Sequence, residues 1–210
     1  MQTNLEVFAR KKTPTIEEYQ DIFEMIQNQT ERLSHLSEVL LDMTGIQSVE
    51  RSDSISLAEL TDEVCCDLAS IADQKKVELI QEEGDCTVTG SYLLLYRAVY
   101  NLVENAIKYN HSGGKVTVKI SQKKDLPAAH SKPTDYALVE VTDTGIGISP
   151  KFQEKIFDPF FRVDKSRSRA MGGAGLGLAL VNEIARQHGG LVKVLESSKK
   201  GSTIALILPL

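Results

Sequence analysis

Two glycine-rich segments and one asparagine-bearing segment carry residue types that could hold a phosphorylated ligand. The first is Asp143-Thr144-Gly145-Ile146-Gly147-Ile148, at the end of an apolar run. The second is Gly172-Gly173-Ala174-Gly175-Leu176-Gly177-Leu178, which leads into an amphipathic stretch. Glycines at a helix start let backbone N–H groups approach a phosphate closely, and the helix dipole favours its charge. Neither run fits the two most familiar phosphate loops. A dinucleotide fingerprint needs a third glycine where, counting from Gly173 or Gly175, Leu178 or Leu180 stands. A P-loop needs a lysine directly after its last glycine, and Leu178 is there instead.

Between the runs, from Lys151 to Arg169, six basic residues (Lys151, Lys155, Arg162, Lys165, Arg167, Arg169) stand against three acidic ones (Glu154, Asp158, Asp164). Such a segment suits a small anion, and equally a solvated loop. The third segment is Asn101-Leu102-Val103-Glu104-Asn105-Ala106-Ile107-Lys108-Tyr109. Steps of four and three put Asn101, Asn105 and Lys108 on one helical face. A carboxamide oxygen is a hard ligand suited to Mg²⁺, and a lysine one turn on can meet phosphate. An exposed polar face is the plain alternative. Taken singly each segment is weak evidence; two glycine runs flanking a basic stretch are better.

These groups need a scaffold, and the composition supplies one. The 210 residues are 41% hydrophobic and 25% charged, ordinary for a globular chain able to bury a core. The net charge of −5 gives no reason to propose nucleic acid. Cys65, Cys66 and Cys86 are odd in number and lack C-x-x-C spacing, which favours buried thiols in a reducing compartment over zinc or disulfides. No apolar run approaches the roughly 20 residues that span a bilayer, and no signal peptide opens the sequence.

Periodicity predicts one long helix over residues 15–43, entered after Pro14 and ended near Gly45, with apolar residues from Ile16 to Met43 on one stripe. Leu5, Val7 and Phe8 look like the stump of a preceding helix, so that residues 1–45 form a helical hairpin. So thin a hairpin leaves an apolar face that a second copy would cover. Residues 46–54 read as a linker and 55–210 as a second domain. There, helices are predicted over Leu57–Asp73, Tyr92–Tyr109 and Ala174–His188. Strands are predicted over Val77–Gln81 and Thr87–Thr89, around Val116 to Ile120 and Leu138 to Val141, and in a hairpin of Leu191–Leu195 with Thr203–Leu208. A polar loop with Pro127 and Pro133 joins the middle pair. This order implies an α+β two-layer sandwich, not a parallel doubly wound sheet.

Taken in order, Asn101–Tyr109, Asp143–Gly147, Phe157-Asp158-Pro159-Phe160-Phe161-Arg162 and Gly172–Leu178 resemble the N, G1, F and G2 boxes of bacterial sensor histidine kinases. His188-Gly189-Gly190 and Gly201-Ser202-Thr203 resemble the tail that follows them. Ala174 stands where that family usually carries threonine. The resemblance implies a histidine kinase-type ATP-binding fold and ATP and Mg²⁺ as ligands. It also implies roles: Asp143 for the adenine amino group, Gly147 for room beside the base, and Thr203 for help through water. Asn105 is the implied Mg²⁺ ligand, with Asn101 and Lys108 close to the phosphates. Tyr109, Gly145, Ile148, Gly173, Gly175, Leu176, Gly177 and Leu178 complete the implied nucleotide pocket. The segment 144–172 becomes a mobile lid, hinged on Phe160 and Phe161, with Arg162 reaching the phosphates or an approaching histidine. Asn101, Lys108 and Arg162 are the implied catalytic residues.

The N-terminal hairpin resembles the later part of the family's dimerisation and phosphotransfer domain. Its accepting histidine should be followed by an acidic residue and soon by a proline, and no residue before Leu5 offers that. His35 is followed by Leu36 and falls on the second helix; His111, His130 and His188 have ordinary readings as loop or turn residues. Met1 is then an internal methionine, and the parent a membrane-anchored sensor whose cytoplasmic portion this is. A response regulator is the implied partner and a homodimer the implied assembly. The related chaperone, mismatch-repair and topoisomerase ATPases resemble one another in placing a glutamate base where Asn101 stands. Without that carboxylate to activate water, hydrolysis is disfavoured.

Overall fold

A computed structural model describes residues 15–16, 19–27, 30, 49–123, 135–163 and 175–210. Described residues 16, 19–27 and 30 are helical, as the stripe predicts, and Ile16, Tyr19 and Phe23 are well exposed along it. The remainder of the hairpin, with His35, lies outside the described residues. So do the loop with Pro127 and Pro133, the lid from residue 164, and Gly173.

The body starts with β1 (Asp53–Ser56), which the sequence had assigned in part to the linker. It pairs antiparallel with β3 (Thr87–Gly90), Ile55 opposite Val88, as a separate two-stranded sheet. Between them run α1 (Leu57–Lys75) and β2 (Glu78–Gln81). Ser56 caps α1 by accepting from Glu59 N, and the Asp85 carboxylate accepts from Ala58 N at 3.0 Å and Cys86 N at 2.7 Å. Those bonds satisfy amide groups that a helix start otherwise leaves bare. They also hold the Asp85 carboxyl below its ordinary range, Ala58 contributing most.

After β3 come α2 (Tyr92–Lys108), β4 (Lys115–Lys123), β5 (Tyr136–Asp143), α3 (Gly177–Gln187), β6 (Leu191–Ser198) and β7 (Gly201–Pro209). The main sheet has the order β2-β4-β5-β7-β6, with β2 parallel to β4 and every other pair antiparallel. The helices cover one face. Val116 and Val118 of β4, Val139 and Val141 of β5, and Leu206 and Leu208 of β7 meet buried Leu60, Val64, Leu95, Val99, Leu180 and Ile184 there. Fully burying such a side chain contributes about 1.5–3 kcal/mol, so this face dominates stability. The other face carries a small cluster of Tyr136, Leu138, Ala205 and Ile207. This is the expected α+β sandwich.

Two further boundaries moved. The terminal hairpin is longer than its apolar core, since Glu196 to Ser198 and Gly201 to Ser202 also pair. The helix expected from Ala174 starts only at Gly177. Gly175 has φ +74, and a Cβ there would lie 2.7 Å from the Phe161 carbonyl oxygen, so the adjoining chain forces it out of helical geometry. The cysteines are less buried than expected: Cys66 is exposed and Cys65 and Cys86 half-buried, with the Cys65 thiol pushed up to about 11 mainly by desolvation.

Candidate nucleotide site

Helix α2 presents its polar edge to the amino end of α3. A Cβ on Gly177 would sit 2.6 Å from Asn101 Oδ1 and 3.6 Å from Asn105 Nδ2. A side chain there would have to push the Asn101 carboxamide aside. Both amide nitrogens are engaged along the helix, Asn101 Nδ2 donating to Arg97 O at 2.8 Å and Asn105 Nδ2 to Asn101 O at 2.7 Å. One N–H of each carboxamide is thus used within the helix, and towards Gly177 the pair turns Asn101 Oδ1 and Asn105 Nδ2. The α3 N-cap, Leu176, supplies no side-chain acceptor, so among the described residues the first N–H groups of this 11-residue helix have no cap from that position.

Lys108 and Arg162 converge on this end. Burial is the main force holding the Lys108 ammonium below its ordinary range; Glu104 opposes the shift, while Arg162 and Lys75 add to it. Lys75 Nζ donates to Lys108 O at 2.7 Å, tying α1 to the last turn of α2. Two half-buried cations, the Asn101 carboxamide oxygen and the start of a helix are groups of the kind that suit a polyanion.

The second half of the site is the loop after β5. The half-buried Asp143 carboxyl is pushed up by desolvation and pulled back by N–H donation from Gly145 and Ser202; the Gly145 bond is 2.7 Å. A carboxylate has room for further donors. Ile146 N donates to Tyr109 O at 3.3 Å, linking this loop to the end of α2. Thr144 and Asn110 knit the same corner to Lys115, whose N–H donates to Thr144 Oγ1 at 2.8 Å.

Most of the expected residues therefore meet at one end of the α2–α3 layer: Asn101, Asn105, Lys108, Tyr109, Arg162, Gly175, Leu176 and Gly177, with Asp143, Gly145, Gly147 and Ile148 beside them. Three differ from expectation. Leu178 lies within α3 and packs against the core. Phe160 is 60% exposed and is held through its backbone, N–H to Gly175 O at 2.9 Å, whereas Phe161 packs on Phe152 at 5.6 Å between ring centroids. Thr203 pairs with Thr142 on the far face of the sheet, their hydroxyls 3.0 Å apart, while buried Ser202 is the residue opposite Asp143. Side chains alternate along a strand, so counting back from Ile204, Leu206 and Leu208 identifies Ser202. A separate open cleft of about 460 Å³, lined by Phe157, Asn182 and Val192 among others, collects none of these residues.

Residues 90–210 match the family described as Histidine kinase-, DNA gyrase B-, and HSP90-like ATPase, and the chain belongs to it. Its relatives include the sensor-like histidine kinase SenX3 of Mycobacterium tuberculosis, 34% identical over 191 residues that cover 89% of this chain and 44% of SenX3. The sensor histidine kinase WalK of Bacillus subtilis is 32% identical over 187 residues, 87% of this chain and 29% of WalK. Among solved structures, the mycobacterial sensor histidine kinase MprB superposes with a TM-score of 0.60 at 28% identity, covering 75% of this chain and 97% of that one. The chain spans less than half the length of these curated relatives. Among the described residues no helix is long and apolar enough to cross a membrane.

Proposed function

We propose that this chain is the ATP-binding catalytic portion of a sensor histidine kinase, which passes the γ-phosphate of Mg-ATP to a histidine for relay to a response-regulator aspartate. The observation that carries it is the meeting of Asn101, Asn105, Lys108 and Arg162 at the start of α3, with Asp143 one loop away. Residues 1–45 then form part of a dimerising helical hairpin, 46–54 a connector, and 55–210 the catalytic domain. The protein works on the cytoplasmic side of a membrane-anchored parent. One structural neighbour, the histidine kinase ThkA in complex with the response regulator protein TrrA, is 21% identical to this chain. At that identity it supports the fold.

The chemistry follows from positioning and charge, which dominate phosphoryl transfer. The Asp143 carboxylate accepts from the adenine amine. Asn105 Oδ1, with Asn101 beside it, fits a hard divalent ion, and Mg²⁺ there would supply charge neutralisation at the phosphates. The N–H groups of Leu176, Gly177 and their neighbours cradle phosphate oxygens, and Lys108 and Arg162 stabilise the charge that develops. Asn101 stands where a hydrolytic relative needs a general base, so transfer to a protein acceptor is favoured over transfer to water.

None of the four histidines in the sequence is followed by an acidic residue. The test is incubation with labelled ATP and Mg²⁺. The expected result is no acid-labile phosphate on this chain, and its appearance on a separately supplied phosphotransfer domain bearing a histidine–acid pair. ATP hydrolysis to free phosphate without transfer to that domain would refute the proposal.

A further inference from the structure

The β6–β7 hairpin forms one wall of the loop that carries Asp143. Along β6, Val192 and Val194 face the helical layer, Val194 pairing with Ile204. Simple alternation would turn Ser197 to the far face. A β-bulge between Val194 and Glu196 shifts the register by one, so that Ser197 pairs with Ser202, the residue opposite Asp143. Bulges commonly re-aim a side chain beside a functional site. The re-aimed hydroxyl accepts from Ile148 N at 2.7 Å and lies 3.0 Å from Ser202 Oγ, with the Gly201 carbonyl 3.5 Å away. Ser202 N in turn donates to the Asp143 carboxylate. One half-buried hydroxyl thus joins both ends of the loop, Asp143 through Ser202 and Ile148 directly.

We propose that Ser197 is a positioning residue for base recognition, fixing Ile148 and Asp143 relative to one another so that the pocket admits adenine and rejects guanine. The proposal rests on Asp143 being the adenine acceptor. Loss of the Ile148–Ser197 bond leaves an N–H to find a new partner and frees the loop, without touching the phosphate end at Gly177 and Lys108.

The experiment measures calorimetric affinities of the whole chain for the imido analogues of ATP and GTP, with thermal melts alongside. Ser197→Ala should weaken the adenine analogue by roughly 3- to 15-fold, the loss of one hydrogen bond. It should leave the guanine analogue unchanged, so the ratio narrows. Ser197→Thr, which keeps the hydroxyl, should recover the ratio. Ser56→Ala, which removes the α1 cap far from the loop, should lower the melting temperature with the ratio intact. A Ser197→Ala ratio within twofold of the parent, while Asp143→Ala collapses it, would overturn the role of Ser197 alone. A ratio unmoved by Asp143→Ala as well would overturn the adenine assignment and this proposal with it.

Discussion

Alanine at Gly147 should damage this protein in two ways that can be separated by a matched control. Gly147 has φ +70, and the left-handed region costs an L-residue about 1–2 kcal/mol. Its added Cβ would also fall 1.7 Å from the Ser198 carbonyl oxygen, half of an ordinary 3.4 Å contact. Relief means moving the hairpin turn by about the difference, 3.4 − 1.7 = 1.7 Å. That shift pulls Ser197 Oγ off Ile148 N and adds about 1 kcal/mol for the lost bond. The expected total is about 2–3 kcal/mol of stability, with nucleotide affinity reduced roughly tenfold. Gly113 is the control: φ is +81, yet nothing lies within 4 Å of an added Cβ. Gly113→Ala should lose only the backbone part, about 1–2 kcal/mol, and bind nucleotide normally. Urea unfolding and calorimetric titration of both variants decide the matter. Equal destabilisation of the two, with equal affinities, would refute the steric reasoning.

If Asp143 is the adenine acceptor as proposed, Asp143→Ala should weaken ATP binding by roughly 5- to 150-fold, since the amine then loses its partner in a half-buried pocket; calorimetry against ATP measures it. Asn105→Ala should abolish the gain in nucleotide affinity that Mg²⁺ brings while sparing metal-free binding of adenosine, checked by paired titrations with and without the metal. His188 gives a pH prediction. Its Nε2 accepts from Ser91 N at 3.1 Å and its Nδ1 donates to Ile184 O at 2.8 Å, an arrangement open only to the neutral ring. Burial, offset by the Ile184 carbonyl and reinforced by Arg51, depresses its folded-state pKa below 6.5. The unfolded chain then takes up the proton first. Stability should be full above pH 6.5 and fall as the pH drops through the depressed value, by at most about 1.4 kcal/mol per unit. Urea midpoints of the parent and His188→Gln across that range report it, and the variant should lack this component.

Helices α1 and α2 were legible because their apolar faces repeat at helical spacing, and β4 because Val116, Val118 and Ile120 alternate. The candidate site was legible where placement depends on one element, as with Asn101, Asn105 and Lys108 sharing α2. It was obscure where position depends on pairing between elements. The resemblance pointed to Thr203, whereas the register with β5 puts Ser202 opposite Asp143. Ser197 carried no local signal, since a bulge decides its face. The start of α3 was misplaced because Gly175 answers to the carbonyl of Phe161, distant in sequence. β1 was missed because four residues, with Ile55 alone fully buried, make no pattern until β3 pairs with them.

Strand β7 comes last in sequence order among the elements but is interior to the sheet. Its partners on β5 lie far back in the chain, Tyr136 pairing with Pro209 and Asp143 with Ser202. During synthesis β5 has one edge unsatisfied, and Val139 and Val141 only partly covered, until residues 201–209 emerge. Pairings of such long sequence separation close slowly, and an open apolar strand edge invites association with other chains meanwhile. β6 is made before β7 and has no other neighbour in the sheet among the described residues, so it too must wait. Helix α3, although complete earlier, meets an unfinished surface beneath it. The candidate site at its amino end is therefore completed late, only once β7 has closed the sheet beneath α3.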